Sequence, residues 1–320
     1  MMKYLEDLKN ELTKRNVNQD EIDDIIRDHD EMISEALREG LSEEEIPHRF
    51  GDPKALAEEL SSNHPSADVY KESDDIQDDF KLFKSFTPSE DEQKIFISMV
   101  FQDVTVRASN DSDYHVNYQG PGDIEEYSIS YRHGELKIES PKFKGLLFKQ
   151  NKKDSISFII EVPKGTELVE FKHKTVSGDV DFRDVNAKNT TFSITSGDLN
   201  IKNTKVDKLV VNTVSGDVNV KELSARVVET SQVSGDMNMS KVIITELIHA
   251  GSVSGDFAFS DAHVELAEFN MVNGDVEGKE FYPKMISFKS VSGDLDIKNS
   301  ERTDIKMQKT NTLSGKININ

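Results

Sequence analysis

The tripeptide Ser-Gly-Asp recurs through the second half of this chain, at Ser177-Gly178-Asp179, Ser196-Gly197-Asp198, Ser215-Gly216-Asp217, Ser234-Gly235-Asp236, Ser254-Gly255-Asp256 and Ser292-Gly293-Asp294. Asn273-Gly274-Asp275 and Ser314-Gly315-Lys316 are degenerate copies, and successive first positions are 19, 19, 19, 20, 19, 19 and 22 residues apart. A unit this short cannot bury a core alone. A fixed period of this length therefore predicts a stack of coils, each sealed by its neighbours.

Aligning the copies shows how a coil is built. Three residues after the first motif position stand Val180, Leu199, Val218, Met237, Phe257, Val276, Leu295 and Ile317; two further on stand Phe182, Ile201, Val220, Met239, Phe259, Gly278, Ile297 and Ile319. This two-residue period is that of a strand with one buried face. A second strand precedes the motif, as in Leu209-Val210-Val211 and Ile286-Ser287-Phe288. The glycines Gly178, Gly197, Gly216, Gly235, Gly255, Gly274, Gly293 and Gly315 mark the corner between the strands, where the backbone needs angles that other residues adopt only at a cost. Val176, Thr195, Val214, Val233, Val253, Val272, Val291 and Leu313 form a third column, immediately before the motif.

The rest of the chain divides by pattern. Residues 1–63 read as a helical bundle: Leu5, Leu8 and Leu12 recur at helical spacing, as do Ile22, Ile25, Ile26, His29, Ile33 and Leu37. Asn18 with Glu21 and Ser42 with Glu45 suit helix N-termini, and Gly40 suits a helix C-terminus. Residues 64–92 are an acidic linker in which Ile76, Phe80, Leu82, Phe83 and Phe86 either dock as a short helix or ride on a solvated tether. Residues 93–168 are β-rich and include a hairpin signal at His133-Gly134. They are read as an entry cap, partly antiparallel, shielding the first coil edge. Residues 169–320 are the solenoid repeats. The expected fold class is α+β multidomain: a small helical bundle, then a mainly parallel β-solenoid of about eight 19-residue coils.

Two segments resemble known families. Met2-Lys3-Tyr4-Leu5-Glu6-Asp7-Leu8, the acidic helix around Asp28-His29-Asp30-Glu31, the turn Glu39-Gly40-Leu41-Ser42-Glu43-Glu44-Glu45-Ile46 and Phe50-Gly51-Asp52-Pro53-Lys54-Ala55-Leu56-Ala57 resemble the HAAS domain. That small bacterial helical module is often joined to membrane segments and encoded beside PadR-type regulators. The repeated Val-Ser-Gly-Asp-Val, together with Val104-Thr105-Val106 and a strand ending at Val162-Pro163, resembles a bacterial β-strand-repeat family labelled "putative adhesin". Some relatives of that family, including Lia-type proteins of Gram-positive bacteria, are implicated in cell-envelope stress responses. The resemblance implies a binding or signalling role.

Charge and composition bound the chemistry. The formal net charge of -21 opposes nucleic acid, whose phosphates must be met by Lys and Arg. It also opposes simple docking on an anionic bilayer and suits a basic partner such as a cationic peptide. With no cysteine, disulfides, thiolate metal sites and cysteine nucleophiles are excluded. No secretory signal is visible, and no stretch approaches the ~20 apolar residues of a membrane span; Gly145-Leu146-Leu147-Phe148 is far too short. The expected location is the cytoplasm, peripheral to the membrane, with unconventional release to the surface left open.

The column Asp179, Asp198, Asp217, Asp236, Asp256, Asp275 and Asp294 has two readings. It is either a cation ladder or a set of carboxylates that satisfy turn amides and face water. His29 and His249 are expected to pack: His29 lies on an apolar stripe, and His249 falls in a column with Phe192, Val211, Phe269 and Phe288. No phosphate-binding glycine loop, metal-binding His pair or nucleophile elbow is present. The reading is therefore a protein that is not an enzyme and uses no cofactor. Its helical module docks a protein partner, and its acidic solenoid offers a binding or scaffold surface. Two alternatives are a scaffold that assembles through the solenoid ends, because the last coil (Ile317-Asn318-Ile319-Asn320) shows no capping element, and a carbohydrate-active β-helix enzyme.

Overall fold

The computed structural model describes residues 3–15, 22, 26, 53–54, 80–141, 156–301 and 304–320. The chain separates into two compact units, residues 1–77 and 78–320. In the first, α1 (Lys3–Lys14) buries Tyr4, Leu5, Leu8 and Leu12 on one stripe, as their three- and four-residue spacing dictates. Ile22 and Ile26, also one helical turn apart, are buried as well. Ile22, Ile26, Pro53 and Lys54 are helical, and the rest of the predicted helices, with His29 and Gly40, lies outside the described residues.

The second unit is one continuous sheet wound into a solenoid. Its coils are built from β8 (Glu167–Ser177), β9 (Val180–Arg183), β10 (Asn186–Ser196), β11 (Leu199–Ser215), β12 (Val218–Ser234), β13 (Met237–Ser254), β14 (Phe257–Asn273), β15 (Val276–Ser292), β16 (Leu295–Lys298), β17 (Lys306–Ser314) and β18 (Ile317–Ile319). Each long strand pairs in parallel with the next, so Leu199 lies opposite Val218 and Val218 opposite Met237. The two predicted inward columns are buried from Val180 to Leu295 and from Phe182 to Ile297, where every side chain present is at most 2% exposed, while Ile317 and Ile319 of the last coil are only partly buried.

A coil has three faces. In β11 the buried residues are Leu199 and Ile201, then Thr204 and Val206, then Leu209, Val211 and Thr213. Alternation breaks at Lys202-Asn203 and again at Asp207-Lys208, where the chain turns. The first of these breaks is a corner that the motif does not mark. Asp184, Asn203, Glu222, Lys241, Asp261 and Glu280, seven residues after each motif start, all have φ between 50° and 60°. Such a backbone costs non-glycine residues about 1–2 kcal/mol, least for Asn and Asp; stacking against identical corners above and below holds it.

Irregular steps in the repeat are absorbed at corners. Between Ala225 and Val227 there is one residue, but between their partners Ile244 and Leu247 there are two, which accounts for the 20-residue step. That extra residue corrects the expectation for His249. The residue opposite Thr230 and Phe269 is Ala250, fully buried, and His249 sits one place aside. There it is half exposed, with Nδ1 3.3 Å from Glu268 Oε2. The histidine in the phenylalanine column is His173, opposite Phe192 and only 1% exposed.

Core packing compensates from coil to coil. Gly278 stands where other coils carry a large inward residue, and Phe281 fills the space, stacking on Phe259 at 4.4 Å with the rings 12° from parallel. One coil earlier the pairing is inverted, with large Phe259 beside small Ala262.

The N-terminal end of the solenoid is closed by strands from the cap. β2 (Lys94–Ser98) and β3 (Val104–Ala108) form a rung beneath β8 and β9, and β6 (Glu135–Glu139) and β7 (Ser157–Val162) form another beneath them. β4 (Tyr114–Gln119) then pairs antiparallel with β7, and β5 (Ser128–Arg132) with β6 across the predicted His133-Gly134 turn. The short helix expected in residues 64–92 gives way, where that segment is described, to a strand. β1 (Lys81–Phe86) pairs antiparallel with β4. The free edge of β4 supplies backbone partners, and Phe83 and Phe86 pack against Tyr118 and Tyr131.

Candidate functional site

The motif corner is the most regular surface of the molecule, and its chemistry follows from stacking. Gly216 has φ 119°, and a Cβ there would run into the carbonyl oxygen of Gly197 on the coil below. Glycine is thus required twice, for its backbone angle and for close approach. Immediately after it comes the aspartate. The Asp198 amide donates to Asp179 Oδ1 at 2.9 Å, Asp217 to Asp198 at 2.9 Å, Asp236 to Asp217 at 2.9 Å and Asp256 to Asp236 at 2.8 Å. Asp275 and Asp294 continue the ladder at 2.7 Å, and the Lys316 amide closes it on Asp294 Oδ1 at 2.7 Å.

The ladder sets the electrostatics of the row. Each carboxylate from Asp179 to Asp294 commits one oxygen to an amide of the next coil, leaving the other outside the ladder. At one strand spacing, ~4.8 Å, neighbouring carboxylates repel by roughly 1 kcal/mol in water, and the amide bonds offset this. Burial holds Asp198 above the usual carboxylate range, against the backbone hydrogen bond from Asp217, and the charges of Asp179 and Asp217 raise it further. Among the described residues, no group of three or more His, Asp or Glu side chains converges as a metal site.

The face that follows the corner draws its acidity from this same row: beyond it, the outward positions hold three carboxylates, Asp181, Glu277 and Asp296, against five basic groups. With the row included, the outward positions across the seven rungs from Asp179 to Lys298 hold ten carboxylates against five basic side chains. A shallow groove of about 610 Å³ crosses this face, lined by Asn238, Ala258, Glu277, Lys279, Asp296 and Lys298 among others. The valine column before the motif, by contrast, points outward. Val176, Val214, Val233, Val253, Val272 and Val291 are each 43–49% exposed and form a ridge beside the corner.

Some of this was hidden in the sequence. Val100-Phe101-Gln102-Asp103-Val104 is a further copy of Val-Ser-Gly-Asp-Val: a Cβ on Gly178 would meet the Gln102 carbonyl, and the Asp179 amide donates to Asp103 Oδ1 at 3.0 Å. Its signal was the spacing Val-x-x-Asp-Val, masked by two non-consensus residues and by the distance to the next copy. His173 stands four residues before Ser177, as Phe192 stands four before Ser196, so counting back from the motif would have placed it in this column. Neither of its ring nitrogens has a hydrogen-bond partner among the described residues, and burial pulls the imidazole down to about 3.

Comparison with known proteins agrees with this architecture. Residues 92–318 match the family described as Toastrack DUF4097, and residues 3–59 match HAAS. The crystal structure of a "putative lipid binding protein" from Parabacteroides distasonis is similar at 17% identity, over 74% of this chain and 96% of that one, with a TM-score of 0.53. A "putative adhesin" from Bacteroides fragilis is matched at 17% identity over 75% of this chain and 97% of that one, with a TM-score of 0.48. At 17% identity the likeness to the Parabacteroides distasonis protein is one of fold. None of the curated proteins matches.

Proposed function

The chain belongs to the Toastrack DUF4097 family, with a HAAS domain at its N-terminus, and we propose that it is a non-enzymatic binding protein of the bacterial cell-envelope stress or signalling system. The helical module docks a regulatory or membrane-associated protein. The solenoid presents a rigid acidic face to a basic ligand, of which a cationic peptide is the simplest case. The observation that carries this reading is the row from Asp179 to Asp294. It is a line of carboxylates at constant pitch, fixed by the amide ladder before any ligand arrives, so little ordering cost remains on binding. The adhesin and lipid-binding descriptions attached to solved structures of similar fold fit a binding role in general terms. The proposed site of action is the cytoplasm, with the protein peripheral to the membrane.

The acidic face is tested by titrating the full chain with a Lys- and Arg-rich peptide and with its Gln-substituted analogue. The comparison protein carries Asp217→Asn, Asp236→Asn and Asp256→Asn together. Asparagine keeps a side-chain acceptor for the ladder and removes the charge. The triple variant is expected to bind the basic peptide at least about tenfold more weakly, and equal binding would remove the acidic face from the proposal. The docking role is tested by fractionating the native host and crosslinking through the helical module. Recovery with a membrane or envelope-stress protein supports it, whereas a purely cytosolic pool crosslinked only to itself would replace signalling with a self-assembling scaffold.

A further inference from the structure

We propose that the solenoid face carrying the valine ridge is a homodimer interface, so that two copies of this chain pair side by side through it. The face consists of the strand segments that lead into each motif corner, such as residues 208–215 of β11. Three of its columns point outward. The first is the valine ridge, interrupted once by Thr195. The second is made of small uncharged residues, Ser193, Asn212, Ser231, Gly251 and Asn270, with Lys174 and Lys289 at its ends. The third runs Lys172, Thr191, Val210, Glu229, His249, Glu268.

Charge identifies the occupant. From Lys172 to Val291 these three columns hold five formal charges, Lys172, Lys174, Lys289, Glu229 and Glu268, for a net of +1. Three of them are already engaged within the chain, Lys172 with Glu170 at 2.6 Å, Glu229 with Lys208 at 2.8 Å and Glu268 with His249 at 3.3 Å. The whole chain carries -21, and the other side of the corner glycines, with the aspartate row supplying seven of its carboxylates, holds ten carboxylates against five basic groups. Two such chains repel through the acidic face and can approach without that penalty through this one. Depletion of charge at the centre of the patch is also the compositional mark of an interface.

Shape and area point the same way. The ridge repeats at one strand spacing, ~4.8 Å, so two copies share a pitch and the valines of one can lie between those of the other along its whole length. Seven rungs at that spacing and about seven residues across give a patch of roughly 35 Å by 20 Å, about 700 Å². Stable pairs bury about 600–1,000 Å² on each partner, and the patch falls within that range. Because the same patch is used by both chains, the contact is closed by a two-fold axis and stops at two.

The test is sedimentation equilibrium of the full chain at low and high salt, beside two variants of equal added charge. Val233→Glu with Val253→Glu places charge on the ridge; Asn200→Glu with Asn219→Glu places it on the acidic face. The valines are half exposed, so both variants keep the wild-type far-UV circular dichroism. Wild type is expected to run at twice its 36.1 kDa chain mass at about 100 μM, more tightly in high salt, where repulsion between the acidic bodies is screened. The ridge variant is expected to dissociate at least about 100-fold more readily, and the acidic-face variant to stay within about threefold of wild type. A wild-type monomer at every concentration and salt overturns the proposal. So does an unchanged ridge variant, or equal weakening of both variants.

Discussion

At the scale of single residues, the aspartate of the motif acts as a structural acceptor before it acts as a charge. Asp217 Oδ1 takes the Asp236 amide at 2.9 Å, and Asp217 donates its own amide to Asp198. Asp217→Ala leaves the Asp236 amide without that acceptor and is expected to cost about 1–2 kcal/mol in denaturant unfolding. Asp217→Asn keeps an oxygen in place and removes repulsion from two flanking carboxylates, so it should lie within about 0.5 kcal/mol of wild type. Equal losses in the two variants would show that the charge, not the acceptor, matters. His173 supplies a second case. It is fully buried without partners among the described residues, and its folded-state value of about 3 lies below the ordinary 6.5, so below pH 6.5 the unfolded chain binds a proton that the folded chain refuses. Stability is then undiminished by this group above about pH 6.5 and falls progressively as pH drops toward 3, by about 2 kcal/mol at pH 5. His173→Phe, matching Phe192 opposite it, should flatten the stability profile between pH 6.5 and 4 while leaving it little changed at pH 8. An unaltered profile would show that His173 does not control it.

At the scale of elements, the coil was legible in the sequence wherever one residue type was forced by one constraint. The inward columns read directly, because a strand with one wet face must alternate, and Val180 to Leu295 are buried as that rule requires. The motif corner read directly too, since the approach of one glycine to the carbonyl below admits no side chain. The second corner did not. Its left-handed position is occupied by Asp184, Asn203, Glu222, Lys241, Asp261 and Glu280, and no common side chain announces it. Stacking against like corners substitutes there for local preference. His249 was misplaced for a related reason: counting forward from the preceding motif gives the interior position only when coils are equal in length, and the extra residue at Thr245-Glu246 shifts that count, whereas counting back from Ser254 reaches Ala250. Deleting Thr245 restores a 19-residue coil without moving Leu247, Ile248 or Ala250 relative to their partners. Its thermal unfolding is therefore expected to stay within about 1 kcal/mol of wild type, because the residue sits at a corner and its hydroxyl gives up only a 3.4 Å bond to the Ala225 carbonyl. A loss of several kcal/mol would mean that the bulge itself is required.

At the scale of the whole molecule, the surface is divided by function of charge rather than by domain. One side of the motif corner concentrates carboxylates, the other is nearly neutral, and only the first was visible from composition, because a net charge says how much and not where. The valine ridge was present in the alignment as an apolar column, but whether it faced in or out depended on a corner geometry that strand alternation alone does not specify. The concentration of like charge has a consequence for stability. A chain carrying -21 is destabilised by its own field in the compact state. Opposing this are exposed ion pairs such as Arg226, which lies 2.8 Å from Asp207 and 2.5 Å from Glu246 on adjacent coils. Exposed pairs of this kind contribute little each, because solvent and salt screen them. Salt screens both effects, and the imbalance of charge decides the sign. Raising sodium chloride from about 20 to about 300 mM should therefore increase the melting temperature by several degrees, at about 2–4 °C per kcal/mol for a unit of this size. The measurement belongs at micromolar protein or below, where association adds little to apparent stability. A melting temperature that falls with salt would show that cross-coil ion pairs, not net repulsion, dominate the electrostatics of the stack.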